Sequence, residues 1–428
     1  LAAWTRIDQG SWSAPGAFFA LIWTVLVCVP LVVAPDLNVW PFAPIAIWIA
    51  VAVFYGGSIV GMGGLGLRMM PSQKALLQGT VSGHGYQGTP TVVLPGLARL
   101  TVLGSLSGCA GLIVLLKAEG FGVADLFSGD SFAMIARAFS IARYNYDYSP
   151  PATVRFLMMM LYAGGLFGGA LFAYATNTRK RWLGLLPFLP ATGFMAVLTT
   201  RTSVLYEIIV WCSAYIAVAI LVFGQRKALF TKSFVLKSLC GIPLAVIVSS
   251  LVLVARYGED LDSFYSLIWP RVRGDIVGHL PAFGEWLRGV LKEGQAPTYG
   301  TYTFAGVFDA LGIQARSLGM YEEIVAVGQG NFAFDTNIYT VFRGFVQDFT
   351  LPGSLGVLFL LGVGSGRAYR AVVSGNGRAV PILAAFYCFA LWSHIVSFTA
   401  YNTLVIAYLL FFAYALFMIH QTQVSFRI

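Results

Sequence analysis

Three arginines, two acids and a histidine stand out in a chain that otherwise avoids charge. Arg143 lies in ARYNYDYSPP, Arg201 in LTTRTSVLYEIIV and Arg343 in TVFRGFVQDF, each close to an apolar run. A guanidinium keeps its charge and offers a planar fork to phosphate oxygens, so an arginine at an apolar boundary can hold an anion. The same side chain can equally snorkel to a membrane interface. Asp348 follows Arg343 by five residues and could pair with it, and Glu207, in the run after Arg201, could serve that arginine likewise. His279, in DIVGHLPAFGEWL, could act as a general base or be structural. Tyr144, Tyr146 and Tyr148 beside Arg143 suit an interfacial aromatic belt as well as a ligand site.

What must position these groups is set by composition. The chain has 428 residues, 58% hydrophobic and 11% charged, with a mean hydropathy of +0.76. Soluble domains carry about a quarter charged residues, so this is an all-α polytopic integral membrane protein. Apolar runs of spanning length predict about ten transmembrane helices, near 14–34, 43–61, 97–116, 153–174, 182–199, 203–224, 234–255, 351–365, 379–396 and 402–420. The first run is closely followed by a second, so it reads as a span and not as a cleaved signal peptide.

One set of loops holds Arg68 and Lys74, Arg179 to Arg181, Arg226, Lys227 and Lys232, and Arg367, Arg370 and Arg378, with no acid among them. The positive-inside rule makes these loops and both termini cytoplasmic. The formal net charge of +9 is then a topology signal, and no nucleic-acid partner is expected. Two loops on the other side are long: 117–152, with a short interfacial helix around Phe132, Ile135, Ala136, Phe139 and Ile141, and 256–350, a lid of short helices. Both belong to a single membrane domain, 1–428. The five cysteines, Cys28, Cys109, Cys212, Cys240 and Cys388, fall inside spans without paired spacing. No GxxxxGK[ST], HExxH or Cys-pair spacing occurs, so neither ATP hydrolysis nor a metal or cofactor is indicated.

The stretch TNIYTVFRGFVQDFTLPG resembles a segment of bacterial oligosaccharide repeat-unit polymerases, the Wzy-type O-antigen polymerases. Asn337, Thr340, Arg343, Asp348 and Phe349 fill the family's places, while Thr350 stands where glycine is frequent. TTRTSVLYEIIV is similar to the family's Arg-containing turn, with Thr200 in place of Ser, and ARYNYDYSPP to its Arg-Tyr segment. O-antigen ligases share the layout and the arginine turn. The resemblance implies a GT-C-like, metal-independent glycosyltransferase of the bacterial inner membrane with a periplasmic active site. Its donor and acceptor would be undecaprenyl-pyrophosphate-linked oligosaccharides, and a chain-length regulator and membrane lipids are implied partners. In that chemistry Arg201 and Arg343 would stabilise the departing pyrophosphate, and Asp348 or His279 would take the proton from the attacking hydroxyl. Arg143, Tyr144, Asp335, Asn337, Tyr339 and Thr340 would contact substrate. The alternatives are the ligase, with a lipid A core acceptor, and a flippase or transporter of lipid-linked oligosaccharide.

Overall fold

The computed structural model describes residues 11–64, 93–144, 150–224, 273–274, 276–314, 321, 325–327 and 334–425; for 93, 130, 143, 144, 326, 334, 335 and 418–425 it describes the backbone alone. Among the described residues the helices are α1 (Pro15–Val33), α2 (Phe42–Met62), α3 (Val93–Ala118), α4 (Gly129–Tyr144), α5 (Ala152–Tyr174), α6 (Thr178–Leu183), α7 (Phe188–Leu198) and α8 (Thr202–Phe223). They continue with α9 (His279–Glu293), α10 (Ala305–Ala310), α11 (Val341–Val373), α12 (Val380–Trp392) and α13 (Asn402–Ser425). A short antiparallel pair, β1 (Val325–Val327) with β2 (Phe334–Thr336), places Val325 opposite Thr336.

Among the described residues seven helical segments are long and apolar enough to cross a membrane, α6 and α7 counting together as one. This is a multi-pass membrane protein. The predicted spans at 14–34, 43–61, 153–174 and 203–224 coincide with α1, α2, α5 and α8 within a few residues. The one at 234–255 lies outside the described residues. The 379–396 run forms only the 13 residues of α12, about 20 Å at 1.5 Å per residue, and then breaks into turns around Ser393–Ile395.

Glycine sets how closely these helices approach. Gly57 and Gly61 of α2 face the Phe359 and Val363 carbonyls of α11, and Gly362 and Gly366 of α11 face the Phe54 and Ser58 carbonyls of α2. A Cβ at any of the four would overlap a carbonyl oxygen, so the seam is backbone against backbone. Without a hydrophobic drive between helices in lipid, such small-residue contacts supply the association. Helix α5 does this on two faces: Gly164 meets Gly104 of α3, and Gly169 meets the Trp211 carbonyl of α8. The four-residue glycine spacing in GGLFGG and in GSIVG (57–61) was the available signal in the sequence.

One end of the bundle carries the basic turns around Arg179–Arg181 and Arg378. The other carries α4, α9, α10, the β pair and the start of α11. In α4, Ile135 and Phe139 pack on Leu115, Val154 and Phe194, as its helical spacing predicts; Ile141, expected on that face, is exposed instead. Helix α9 buries His279, Phe283, Trp286 and Leu287, and its Gly284 lies against Trp40 and Ala43 beside the start of α2. Among its described residues the 256–350 stretch contains the short helices α9 and α10. It also holds the β pair and the first turns of α11, which no alternation pattern announces.

Helix α11 is two helices joined at Thr350, whose φ 63 and ψ 172 are not helical. Pro352 opens the second, where its missing N–H costs nothing. That φ/ψ region is almost reserved for glycine, which gives a physical sense to a glycine at this position. Thr350→Gly is expected to raise the unfolding temperature in detergent, by about 1 kcal/mol of stability. An unchanged or lower midpoint would show that the break is unstrained.

Candidate functional site

The start of α11 is pinned by its own first amide, Val341 N–H, which donates to the Ser393 carbonyl at 2.8 Å. Two residues on, Arg343 is 2% exposed. Its guanidinium carbon lies 3.9 Å from the ring centre of Tyr321, 3.9 Å from that of Tyr339 and 5.1 Å from that of Trp286. Three separate segments thus converge: α9 supplies Trp286, the stretch before β1 supplies Tyr321, and the link from β2 to α11 supplies Tyr339. Desolvated cation–π contacts are worth about 2 kcal/mol each. The Tyr321 and Tyr339 rings stand at 74° to each other with centres 5.2 Å apart, so they meet the guanidinium from two adjacent sides and do not sandwich it. Tyr302 stacks on Tyr321 at 5.4 Å and 13°, extending the pile.

Asp348 is fully buried and has its own partners. Oδ1 accepts from the Thr298 hydroxyl at 2.6 Å and the Tyr302 amide at 3.1 Å, and Oδ2 accepts from the Thr303 amide at 2.6 Å. The Thr298 and Tyr299 amides donate to the Gln347 and Asp348 carbonyls, and the Thr399 hydroxyl donates to the Thr303 carbonyl. The ion pair that the spacing offered to Arg343 is therefore replaced by a carboxylate that fastens the 298–303 turn to α11. The physical reason is supply: three well-placed donors from a folded turn satisfy a buried carboxylate.

His279 is 1% exposed at the start of α9, and its Nε2–H donates to the Leu26 carbonyl at 3.0 Å. Its ring meets that of His394 at 6.3 Å. Burial, with the His394 imidazole beside it, pushes its pKa down from 6.5 to about 4. Below pH 6.5 the unfolded chain takes up this proton while the folded chain does not, so stability falls as pH drops from 6.5 toward 4. His279→Gln should flatten that acid slope in unfolding temperatures measured across this range. An unaltered slope would show that the protonation of His279 is not what acid attacks.

Arg201 sits half-buried in the turn from α7 to α8, after Thr199 at φ 50. One turn further, Tyr206 touches Trp392 at 4.7 Å and Tyr401 at 4.9 Å, Trp392 meets His394 at 5.9 Å, and His394 meets His279. A run of rings thus joins the Arg201 turn to α9, while the cage around Arg343 is built by other residues. Glu207, weighed above as a partner for Arg201, is fully buried with no hydrogen-bond partner among the described residues and lies against Gly165.

Of the remaining candidates, Tyr339 forms the cage, Thr340 is buried at the cap of α11 and Asn337 is exposed. Asp335 pairs through its backbone with Ala326. Arg143 and Tyr144 end α4, while Tyr146 and Tyr148 lie outside the described residues. Trp286, Tyr302, Tyr321, Thr298 and Thr303 were not singled out in the sequence, because an aromatic-rich, Gly-rich loop carries no spacing that marks them. Among the described residues no three His, Cys, Asp or Glu side chains gather as a metal site would require. No family model matches this chain, and no curated protein or solved structure matches it.

Proposed function

We propose that this chain is a membrane glycosyltransferase that polymerises undecaprenyl-pyrophosphate-linked oligosaccharide repeat units, working at the end of the bundle that carries α9 and the start of α11. The positive-inside rule makes that end periplasmic and the basic turns cytoplasmic. The observation that carries the reading is Arg343, buried among aromatic rings where the chain enters a spanning helix. A leaving pyrophosphate gains negative charge as the bond from the sugar's anomeric carbon to the phosphate oxygen breaks. A fixed guanidinium in a water-poor site, its donors already oriented, stabilises that charge without reorganising. The anomeric carbon then joins the acceptor hydroxyl of an incoming lipid-linked unit, whose proton passes to a base or to the pyrophosphate itself. Asp348 holds the turn beside Arg343, which makes it a positioning residue in this scheme.

A transporter of the same lipid-linked oligosaccharide draws on one observation, Glu207 inside α8, buried with no hydrogen-bond partner among the described residues, since acids within spans frequently mark transport paths. Both readings meet one experiment. Purified protein is given undecaprenyl-pyrophosphate-linked repeat units alone, and the products are run on a gel. A ladder of lengthening glycans is the expected result. Unchanged substrate, with the same lipid-linked units crossing the bilayer of a proteoliposome, would replace the polymerase by the transporter.

A further inference from the structure

Helix α1 carries a buried proline, Pro30, inside its length. Proline has no N–H, so the carbonyl four residues earlier, that of Leu26, loses the donor a regular helix would give it. Leu26 lies about 10 Å along the axis from the end of α1 at Val33, within a segment apolar enough to cross a membrane. Water is scarce at such a place, and prolines in spanning helices are tolerated where a neighbouring group satisfies the freed carbonyl. Here that neighbour comes from far along the chain. The Nε2–H of His279 donates to the Leu26 carbonyl at 3.0 Å.

His279 is also the first residue of α9, so this bond fixes where that helix begins. Two turns later, on the same face, Trp286 stands 5.1 Å from the Arg343 guanidinium. Between them Phe283 meets Phe342 of α11 at 6.3 Å, and Phe342 lies 4.6 Å from Trp23 of α1. The ring of His279 also meets His394, next to Ser393, whose carbonyl accepts from Val341 and sets the start of α11. Both sides of the Trp286–Arg343 contact are thus held to one frame, α11 by Ser393 and α9 by Leu26. A side chain 1% exposed, its Nε2–H committed to a backbone carbonyl, is ill placed to take a proton from a sugar hydroxyl.

We infer that His279 is a positioning residue: it satisfies the carbonyl that Pro30 frees on α1 and thereby holds α9 where Trp286 meets Arg343. It acts through that contact and not on the reacting atoms. Its effect on glycan extension rests on the polymerase reading above; its effect on the placement of α9 does not. One pairing then accounts for both a proline inside a spanning helix and a histidine buried at the start of a short one.

The test uses the full chain in lipid nanodiscs, with native cysteines replaced and spin labels at Val32 of α1 and Leu291 of α9, both exposed. His279→Leu removes the donor at similar bulk, and His279→Gln returns an N–H at similar reach. Pro30→Ala gives the Leu26 carbonyl a helical donor of its own. His279→Leu is expected to broaden the label distance and lower the unfolding temperature by a few degrees. It should also slow glycan extension by up to about a hundredfold, the cost of misplacing a group by about 1 Å. His279→Gln should restore all three. In a Pro30→Ala background the stability loss from His279→Leu should shrink, because the carbonyl is no longer orphaned, while the distance stays broad. A sharp wild-type distance in His279→Leu overturns the proposal, as does an equal stability loss in both backgrounds. If His279→Leu alone does not fold, the double variant decides: folding with a broad distance sustains the proposal, and failure to fold overturns it. Abolished extension in His279→Gln with α9 in its normal place would make the histidine the proton acceptor instead. Wild-type protein that extends no glycan removes the polymerase reading, and the distances still decide what holds α9.

Discussion

Replacing Gly362 with valine is expected to separate α2 from α11 and leave a chain that no longer behaves as one folded species in detergent. The Cβ alone would enter the Phe54 carbonyl, and the Ser58 amide lies close behind it. A flexible side chain could swing away, but a helix backbone cannot. The seam is reciprocal, so moving α11 outward also breaks the contacts of Gly57, Gly61 and Gly366. Overpacking of a core costs about 1–3 kcal/mol where side chains can adjust, and here they cannot, so the loss should exceed that range. Gly364→Ala, on the same helix but with nothing within 4 Å of the added carbon, is the control. Thermal unfolding followed by size exclusion distinguishes the two. Equal behaviour of Gly362→Val and Gly364→Ala would show that the two backbones do not meet.

The second large effect is on activity. Arg343→Lys is expected to lose glycan extension nearly as completely as Arg343→Ala, by about a hundredfold or more. Lysine retains the charge and can still lie against Tyr321 and Tyr339. What it lacks is a planar group whose faces stack while its edge presents two parallel donors. The cage makes that distinction sharp, because rings at 3.9 Å on two adjacent sides fix where the guanidinium sits, and an ammonium on a flexible stem would not present the same fork there. The ladder assay, run on variants matched for unfolding temperature, gives the answer. Near-native extension by the lysine variant would mean that only a positive charge is needed, and the forked contact would be wrong.

Hydropathy made the long elements legible. Helices α1, α2, α5 and α8 sit where apolar runs of spanning length require a self-satisfied backbone, and α4 appears where its spacing predicts. Arg343 and Asp348 were legible as unusual charges, but their partners were not. Asp348 is satisfied by a turn about fifty residues earlier, at Thr298, Tyr302 and Thr303. Arg343 is caged by rings from positions 286, 321 and 339. Contacts of that kind depend on how the loop folds back, which residue types alone do not encode. The break at Thr350 was half visible, since Pro352 marks a helix start while a threonine gives no hint of positive φ.

The two-faced glycine surface of α5 has a consequence for how the protein is made. About two-thirds of its apolar stretch is buried within the protein, and Gly164, Gly165, Gly168 and Gly169 contribute almost no side chain for lipid to solvate. The segment is apolar enough to cross a bilayer by itself, but its two glycine faces have nothing to pack on until their neighbours are present. Helix α3, already synthesised, can cover one face at once, while the other waits for α8. Packing of this part of the bundle is therefore completed only when α8 has been made.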